Sequence, residues 1–121
     1  MASRFTELVI DSHDPERLAA FWQEVLGSPT LRRGDDGGPY VSVSGGGTPI
    51  ELLFVPVPET KAVKNRLHID VRASDRDQAQ EVERLLALGA RHTDVGQGDV
   101  SWVVLADPEG NEFCVLRTRS D

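Results

Sequence analysis

Five side chains in this 121-residue sequence combine reactive chemistry with an ordered setting: Glu7, Glu51, His68, Glu112 and Cys114. A neutral imidazole such as that of His68 suits Zn, Ni, Fe or Cu. Carboxylates supply hard oxygen donors, and one raised in pKa by burial can move a proton. Cys114 is the sequence's one cysteine, and its sulfur acts as a ligand or nucleophile only when something lowers its pKa. Each group also has a plainer reading. A lone cysteine in an apolar strand is usually a small buried hydrophobe. Glu7 at a strand start can simply be solvated, and His68 can be hydrogen-bonded to Asp70 or Glu51.

Strand alternation sets where these groups point. Leu8 and Ile10 share one face, and Glu7, Val9 and Asp11 share the other. Leu67, Ile69 and Val71 lie opposite Arg66, His68 and Asp70. Glu51 faces away from Ile50, Leu52 and Phe54, and Cys114 faces away from Phe113 and Val115. All of them leave the apolar faces that helices should cover.

The elements come in two copies. Glu7-Leu-Val-Ile-Asp11 is followed by Asp14-Pro-Glu-Arg-Leu-Ala-Ala-Phe-Trp22 and then Leu26-Gly27. His68-Ile-Asp-Val-Arg72 is followed by Asp75-Arg-Asp-Gln-Ala-Gln-Glu-Val-Glu83 and then Leu88-Gly89. Asp14 stands seven positions after Glu7 and Asp75 seven after His68, and an offset of 61 (68 − 7) relates the copies. Asp14 caps the first helix, with Pro15 in its first turn and Glu16 near its positive end. Ser74 or Asp75 is expected to cap the second. Leu18, Phe21, Trp22 and Val25 recur at helical spacing, as do Ala79, Val82, Leu85 and Leu86. Gly27 and Gly89 suit the helix ends.

Three short strands are expected after each helix: 30–33, 40–44 and 49–55, then 91–93, 100–106 and 112–117. Turns fall at 34–38, at Gly45-Gly-Gly47 and at Asp107-Pro-Glu-Gly110. The glycine triplet reads as a hairpin and not as a phosphate loop, since no Lys-Ser/Thr helix start comes after it. Module one covers about 4–56, a linker about 57–65 and module two about 66–119, all within one domain. The fold class is α+β. The competing architecture is a ferredoxin-like sandwich whose halves are alike by coincidence.

The net charge of −7 argues against nucleic acid and anionic membranes as partners. No apolar run reaches the roughly 18 residues of a membrane span. The first eleven residues lack a secretory pattern, and one cysteine cannot form an internal disulfide; both point to the cytoplasm. Basic residues gather at Arg32-Arg33 and at Lys61, Lys64 and Arg66, as solvated surface or to steer an anionic small molecule. His13 and His92 are expected on the surface, and Trp22 in the core.

The duplicated β-α-β-β-β unit, with Asp107-Pro-Glu-Gly-Asn111 before the final strand, resembles the vicinal-oxygen-chelate (glyoxalase/bleomycin-resistance/dioxygenase) superfamily. Lys61-Ala-Val-Lys-Asn-Arg-Leu-His-Ile-Asp70 and Trp102-Val-Val-Leu-Ala-Asp-Pro-Glu-Gly-Asn-Glu-Phe-Cys-Val-Leu116 resemble its actinobacterial glyoxalase-like subgroup. The resemblance implies two tandem modules forming a curved mixed sheet, a cup, with helices on the outer face. It implies a divalent metal (Zn, Ni or Fe) held by Glu7, Glu51, His68 and Cys114, with Glu51 answering Cys114 across the repeat. The sequence departs from the family, which usually has His at position 7 and Glu at position 114. Glu112, two residues early, is expected at the cup rim, and Glu51 or Glu112 as the proton carrier. Tyr40, Phe54, Arg66 and Trp102 are expected to line a ligand pocket. The resemblance implies one of two functions: a metal-dependent lyase or isomerase acting on a small α-oxygenated compound, or a metal-free, antibiotic-type binding and sequestration protein. An accessory domain without a ligand is the third possibility. A homodimer is the implied assembly.

Overall fold

Register and alternation together put one apolar face on each of two small sheets. The computed structural model describes residues 2–34 and 39–118, and the chain divides into two units, Met1–Thr60 and Lys61–Asp121. The expected turn at 34–38 lies largely outside the described residues. Among those residues the architecture is two helices and two four-stranded mixed sheets, an α+β fold with one β-α-β-β-β module per unit.

In the first unit, β1 (Glu7–Ser12) is followed by α1 (Pro15–Leu26), β2 (Thr30–Arg33), β3 (Val41–Gly45) and β4 (Thr48–Pro56). The sheet order is β1-β4-β3-β2, with β1 parallel to β4 and the other pairs antiparallel. Helix α1 packs on β2, β3 and β4. Its stripe Leu18, Phe21, Trp22 and Val25 is buried, as are Val41, Val43, Leu52 and Phe54 of the sheet. Phe21 and Trp22 meet edge to face, with ring centroids 5.5 Å apart. Each fully buried large apolar side chain contributes about 2–3 kcal/mol. Asp14 caps α1 through Arg17 N–H, and Pro15 opens it.

The glycine triplet has a packing reason. Gly27 ends α1 in the left-handed region, and the β3–β4 turn lies directly on that end. Gly47 N–H donates to Leu26 O at 2.7 Å, satisfying a carbonyl the helix leaves open. A Cβ on Gly46 would sit 2.3 Å from Gly27 O. Only a residue without a side chain lets the two backbones approach so closely.

The second unit repeats the order with β5 (Ile69–Val71), α2 (Gln78–Leu88), β6 (Arg91–His92), β7 (Val103–Ala106) and β8 (Glu112–Val115). Its sheet order is β5-β8-β7-β6, with β5 parallel to β8. The core holds Val71, Val82, Leu85, Leu105, Phe113 and Val115. The cap of α2 differs from the sequence expectation: Asp77 holds that place, not Ser74 or Asp75. Asp77 accepts from Gln80 N–H at 2.8 Å, and the Gln80 side chain accepts from Asp77 N–H at 3.0 Å. This reciprocal pair satisfies two open donors at once, while Asp75 pairs with Arg76. The stripe also differs. Ala79 is exposed, and Glu81 is buried because both its oxygens accept from Arg84 at 2.8 Å.

Asp107 is fully buried in the final turn. Its carboxylate accepts from Glu109 N–H, Asn111 N–H and the Asn111 amide. This fixes the entry of β8 and so the register of the residues beyond it.

Candidate functional site

Asp70 and Cys114 are direct partners across the parallel β5–β8 pair. His68 precedes Asp70 by two residues and therefore shares its face. The result is a tight group. His68 Nδ1 lies 3.0 Å from Asp70 Oδ1 and 3.9 Å from Cys114 Sγ. One donor atom from each of the three residues falls within 4.8 Å of the others. Cys114 is buried, whereas the side chains of His68 and Asp70 are 46% and 44% exposed, so the group opens to the outside.

It opens into a cavity of about 510 Å³ within the second unit. Trp102, Val104 and Leu116 give it apolar walls, and Val95 and Gln97 reach it from the β6–β7 loop. That loop is held by local bonds: Gln97 Oε1 accepts from Val95 N–H, and Asp94 accepts from Gly96 N–H. Lys64 and Glu112 also border the cavity. A mostly apolar hollow with a few convergent polar groups is the usual form of a small-molecule site.

The two most reactive groups are restrained. Burial pushes the Cys114 thiol above its ordinary pKa, and the Asp70 charge and the thiol's hydrogen bond to Asp70 push it the same way. Unaided, Cys114 is a thiol and not a thiolate nucleophile. Nor is a nucleophile–base–acid relay formed, because the same nitrogen, His68 Nδ1, faces both Asp70 and Cys114. A relay needs the imidazole between its partners, one on each nitrogen.

For Glu112, burial pushes the carboxyl up, but bonds from Lys61 Nζ (2.8 Å) and Asn65 N–H (2.9 Å) prevail and hold it below its ordinary range. The expectation of a proton carrier with raised pKa therefore does not hold at Glu112. Its two oxygens latch the segment before β5 onto β8, beside an Asn65–Asn111 side-chain bond.

The other expected residues are spread over both units. Glu7 and Glu51 are register partners on β1 and β4 of the first unit, both half-buried. Trp102 lines the cavity and is 40% exposed. Arg66 is exposed and is not among the cavity's lining residues. Tyr40 is half-buried just before β3 in the first unit. Phe54 is corrected: it is 0% exposed on the helix-covered face of β4, where core packing leaves no surface for a ligand. The expected match of Glu51 with Cys114 is corrected too. The offset that carries Leu8↔Leu52 onto Ile69↔Phe113 carries Glu51 onto Glu112 and Leu53 onto Cys114.

Sequence reasoning did not place Asp70, Lys64, Val95, Gln97, Val104 or Leu116 at the site. Alternation from His68 and Cys114 carries the signal for Asp70 and Leu116. Nothing in the composition of the β6–β7 loop marks Val95 or Gln97.

Comparison with known proteins agrees with this geometry. The model of the glyoxalase-like domain matches residues 7–116. Among solved structures, the fosfomycin resistance protein FosX from Mesorhizobium loti has a TM-score of 0.71 at 17% identity, covering 99% of this chain and 95% of that one. A glyoxalase/bleomycin resistance protein/dioxygenase family enzyme from Burkholderia phytofirmans has 0.66 at 21% identity, with coverages of 91% and 94%. A FosX mutant from Listeria monocytogenes, complexed with Mn(II) and 1S,2S-dihydroxypropylphosphonic acid, has 0.69 at 15% identity, with coverages of 96% and 90%. No curated protein matches the chain. At these identities the likeness is one of fold; together with the glyoxalase-like match over residues 7–116 it is that of the vicinal-oxygen-chelate superfamily. Within it, the chain belongs to the glyoxalase-like domain family.

Proposed function

We propose that the protein is a metal-dependent lyase or isomerase of the glyoxalase type, acting on a small α-oxygenated compound in the cavity of the second unit. One observation carries the reading: His68, Asp70 and Cys114 bring three different donor types together at an opening into an apolar hollow. Imidazole, carboxylate and thiol together fit a divalent ion such as Zn, Ni or Fe(II). The proposed holders from the expected set are His68 and Cys114, joined by Asp70. When bound, the ion supplies Lewis acidity toward two adjacent oxygens.

The chain's own residues do the rest. Trp102, Val104 and Leu116 shed water from a bound ligand and strengthen every polar contact beneath it. Lys64 places a cation at the border, suited to an anionic group on the ligand. Glu112 is committed to Lys61 and is not offered as the proton carrier.

The test is elemental analysis of untagged protein purified without added metal. One equivalent of a divalent metal is expected, and its loss in His68→Ala. Protein that neither retains nor takes up a divalent ion overturns the reading.

A second reading, metal-free binding of an aromatic ligand, is favoured by a different observation. The Cys114 thiol and the His68 ring already turn to the Asp70 carboxylate, so the polar floor is satisfied without an ion. Trp102 then serves as a stacking wall. Thermal stabilisation by aromatic antibiotics in the presence of chelator supports it, and no shift across such a panel removes it.

We also propose that the protein works in the cytoplasm as a homodimer. Phe5, Val9, Val63 and Leu67 are exposed large apolar side chains that association would cover. A one-chain mass by light scattering excludes the dimer. No helix among the described residues is long and apolar enough to cross a membrane.

A further inference from the structure

We infer that Asp70 and Cys114, with His68 Nδ1, form a three-donor site contained within the second unit and selective for a thiophilic divalent cation. The inference rests on the metal-dependent reading above and names the donors and the class of ion.

Three arguments carry it. The first is distance. Zinc bonds of about 2.0–2.3 Å at tetrahedral angles place neighbouring donor atoms roughly 3.3–3.7 Å apart. The observed separations, 3.0 Å from Nδ1 to Asp70 Oδ1 and 3.9 Å from Nδ1 to Cys114 Sγ, lie on either side of that span. The third pair, the Asp70 carboxylate and Cys114 Sγ, lies within 4.8 Å and closes on the same ion by side-chain rotation.

The second is support. Asp70 and Cys114 are opposed by strand register, and β8 is fixed upstream by the buried Asp107 turn. Donors on paired strands hold their geometry better than donors on loops. The nearest other carboxylate bordering the cavity, Glu112, is held by Lys61 and Asn65 and is not available.

The third is charge and softness. Carboxylate and thiolate together neutralise a divalent ion, and the thiolate and imidazole discriminate against Mg, Ca and Mn. The cavity above leaves the fourth position open to a ligand, as in catalytic and not structural zinc sites. At the positions of the first unit that correspond to Asp70 and Cys114 stand Val9 and Leu53, which cannot ligate, while His68 corresponds to Glu7. The carboxylate–thiol pair is therefore particular to the second copy and not a by-product of the repeat.

The experiment is a Co(II) titration of the metal-stripped full chain, followed by absorbance. The expected result is an intense near-ultraviolet thiolate-to-cobalt charge-transfer band that saturates at one equivalent. Zn(II) should displace it, and Mg(II) in about hundredfold excess should not. Cys114→Ser should abolish the band, and Asp70→Asn should weaken Co(II) binding by about tenfold or more. Cobalt that binds without the band, or with unchanged affinity in both variants, overturns the inference and leaves metal dependence standing. Absence of any cobalt binding overturns both. The band on the unsubstituted chain decides the matter even where a variant fails to fold.

Discussion

The two units share a plan on one face and part company on the other. Leu8, Ile10, Leu52 and Phe54 of the first correspond in register to Ile69, Val71, Phe113 and Val115 of the second, and all are apolar. On the opposite face, Val9 and Leu53 of the first correspond to Asp70 and Cys114 of the second. Core-facing positions are constrained by close packing, because each must fill volume against a helix. Positions on the far face carry no such demand. There the second copy sets a carboxylate beside a thiol where the first has the apolar pair Val9 and Leu53, next to the carboxylates Glu7 and Glu51.

The sharpest way to break the comparison is through the shared face. Leu52→Ala and Phe113→Ala occupy corresponding core positions, and each should cost about 3–5 kcal/mol in urea denaturation. A value below about 1 kcal/mol for either would show that the positions are not equivalent. The final hairpin turns come next. Gly46→Ala introduces both a positive-φ strain and a backbone clash, so about 2–4 kcal/mol is expected. Gly110→Ala at the corresponding turn meets only Lys61 Cδ at 3.8 Å, and strain alone gives about 1–2 kcal/mol. Equal losses would remove the argument that the first turn is locked to α1.

Lys61→Met probes a feature of the second unit alone and should cost about 1–2 kcal/mol at pH 7. The sign of its pH dependence is set by Glu112. Because the folded-state pKa is lowered, this stabilisation is full above the ordinary value of 4.5 and fades as pH falls through the folded value. Urea midpoints of Lys61→Met should therefore approach those of the wild type as pH drops below 4.5; a gap that stays constant would rule the ion pair out as the cause. The smallest contrast lies in the helix caps. Asp77→Ala removes a reciprocal pair and should cost about 1 kcal/mol by thermal melting. Asp14→Ala removes a longer, exposed capping bond, 3.3 Å to Arg17 N–H, and should cost roughly half as much.

Much of the fold is legible in the sequence, because local rules write it. The repeat, the strand faces, the Asp14 cap and the glycine helix ends all depend on neighbours a few residues apart. The cap of α2 is legible as well, in Asp77 with Gln80 three residues on, but Asp75 aligns better with Asp14 and points to the wrong residue. Of the site, the sequence marks His68 and Cys114, and shows Asp70 only as a partner for His68. What no local rule reaches is the pairing of Lys61 with Glu112 across 51 residues. Without it, a half-buried glutamate beside a cavity looks like a base. Phe54 misleads for a related reason: an aromatic ring suggests a ligand wall until its face of the strand is consulted.

The contacts of Lys61 and Asn65 with Glu112 and Asn111 bear on how the chain can be divided. A fragment starting at Arg66, where the sequence suggests the second copy begins, would shed the cation that neutralises Glu112 and the backbone donor beside it. An uncompensated negative charge would then border the cavity of the second unit. Gene fragments, fusions and permutations of this domain should keep residues 61–65 joined to β5 and the rest of the second unit.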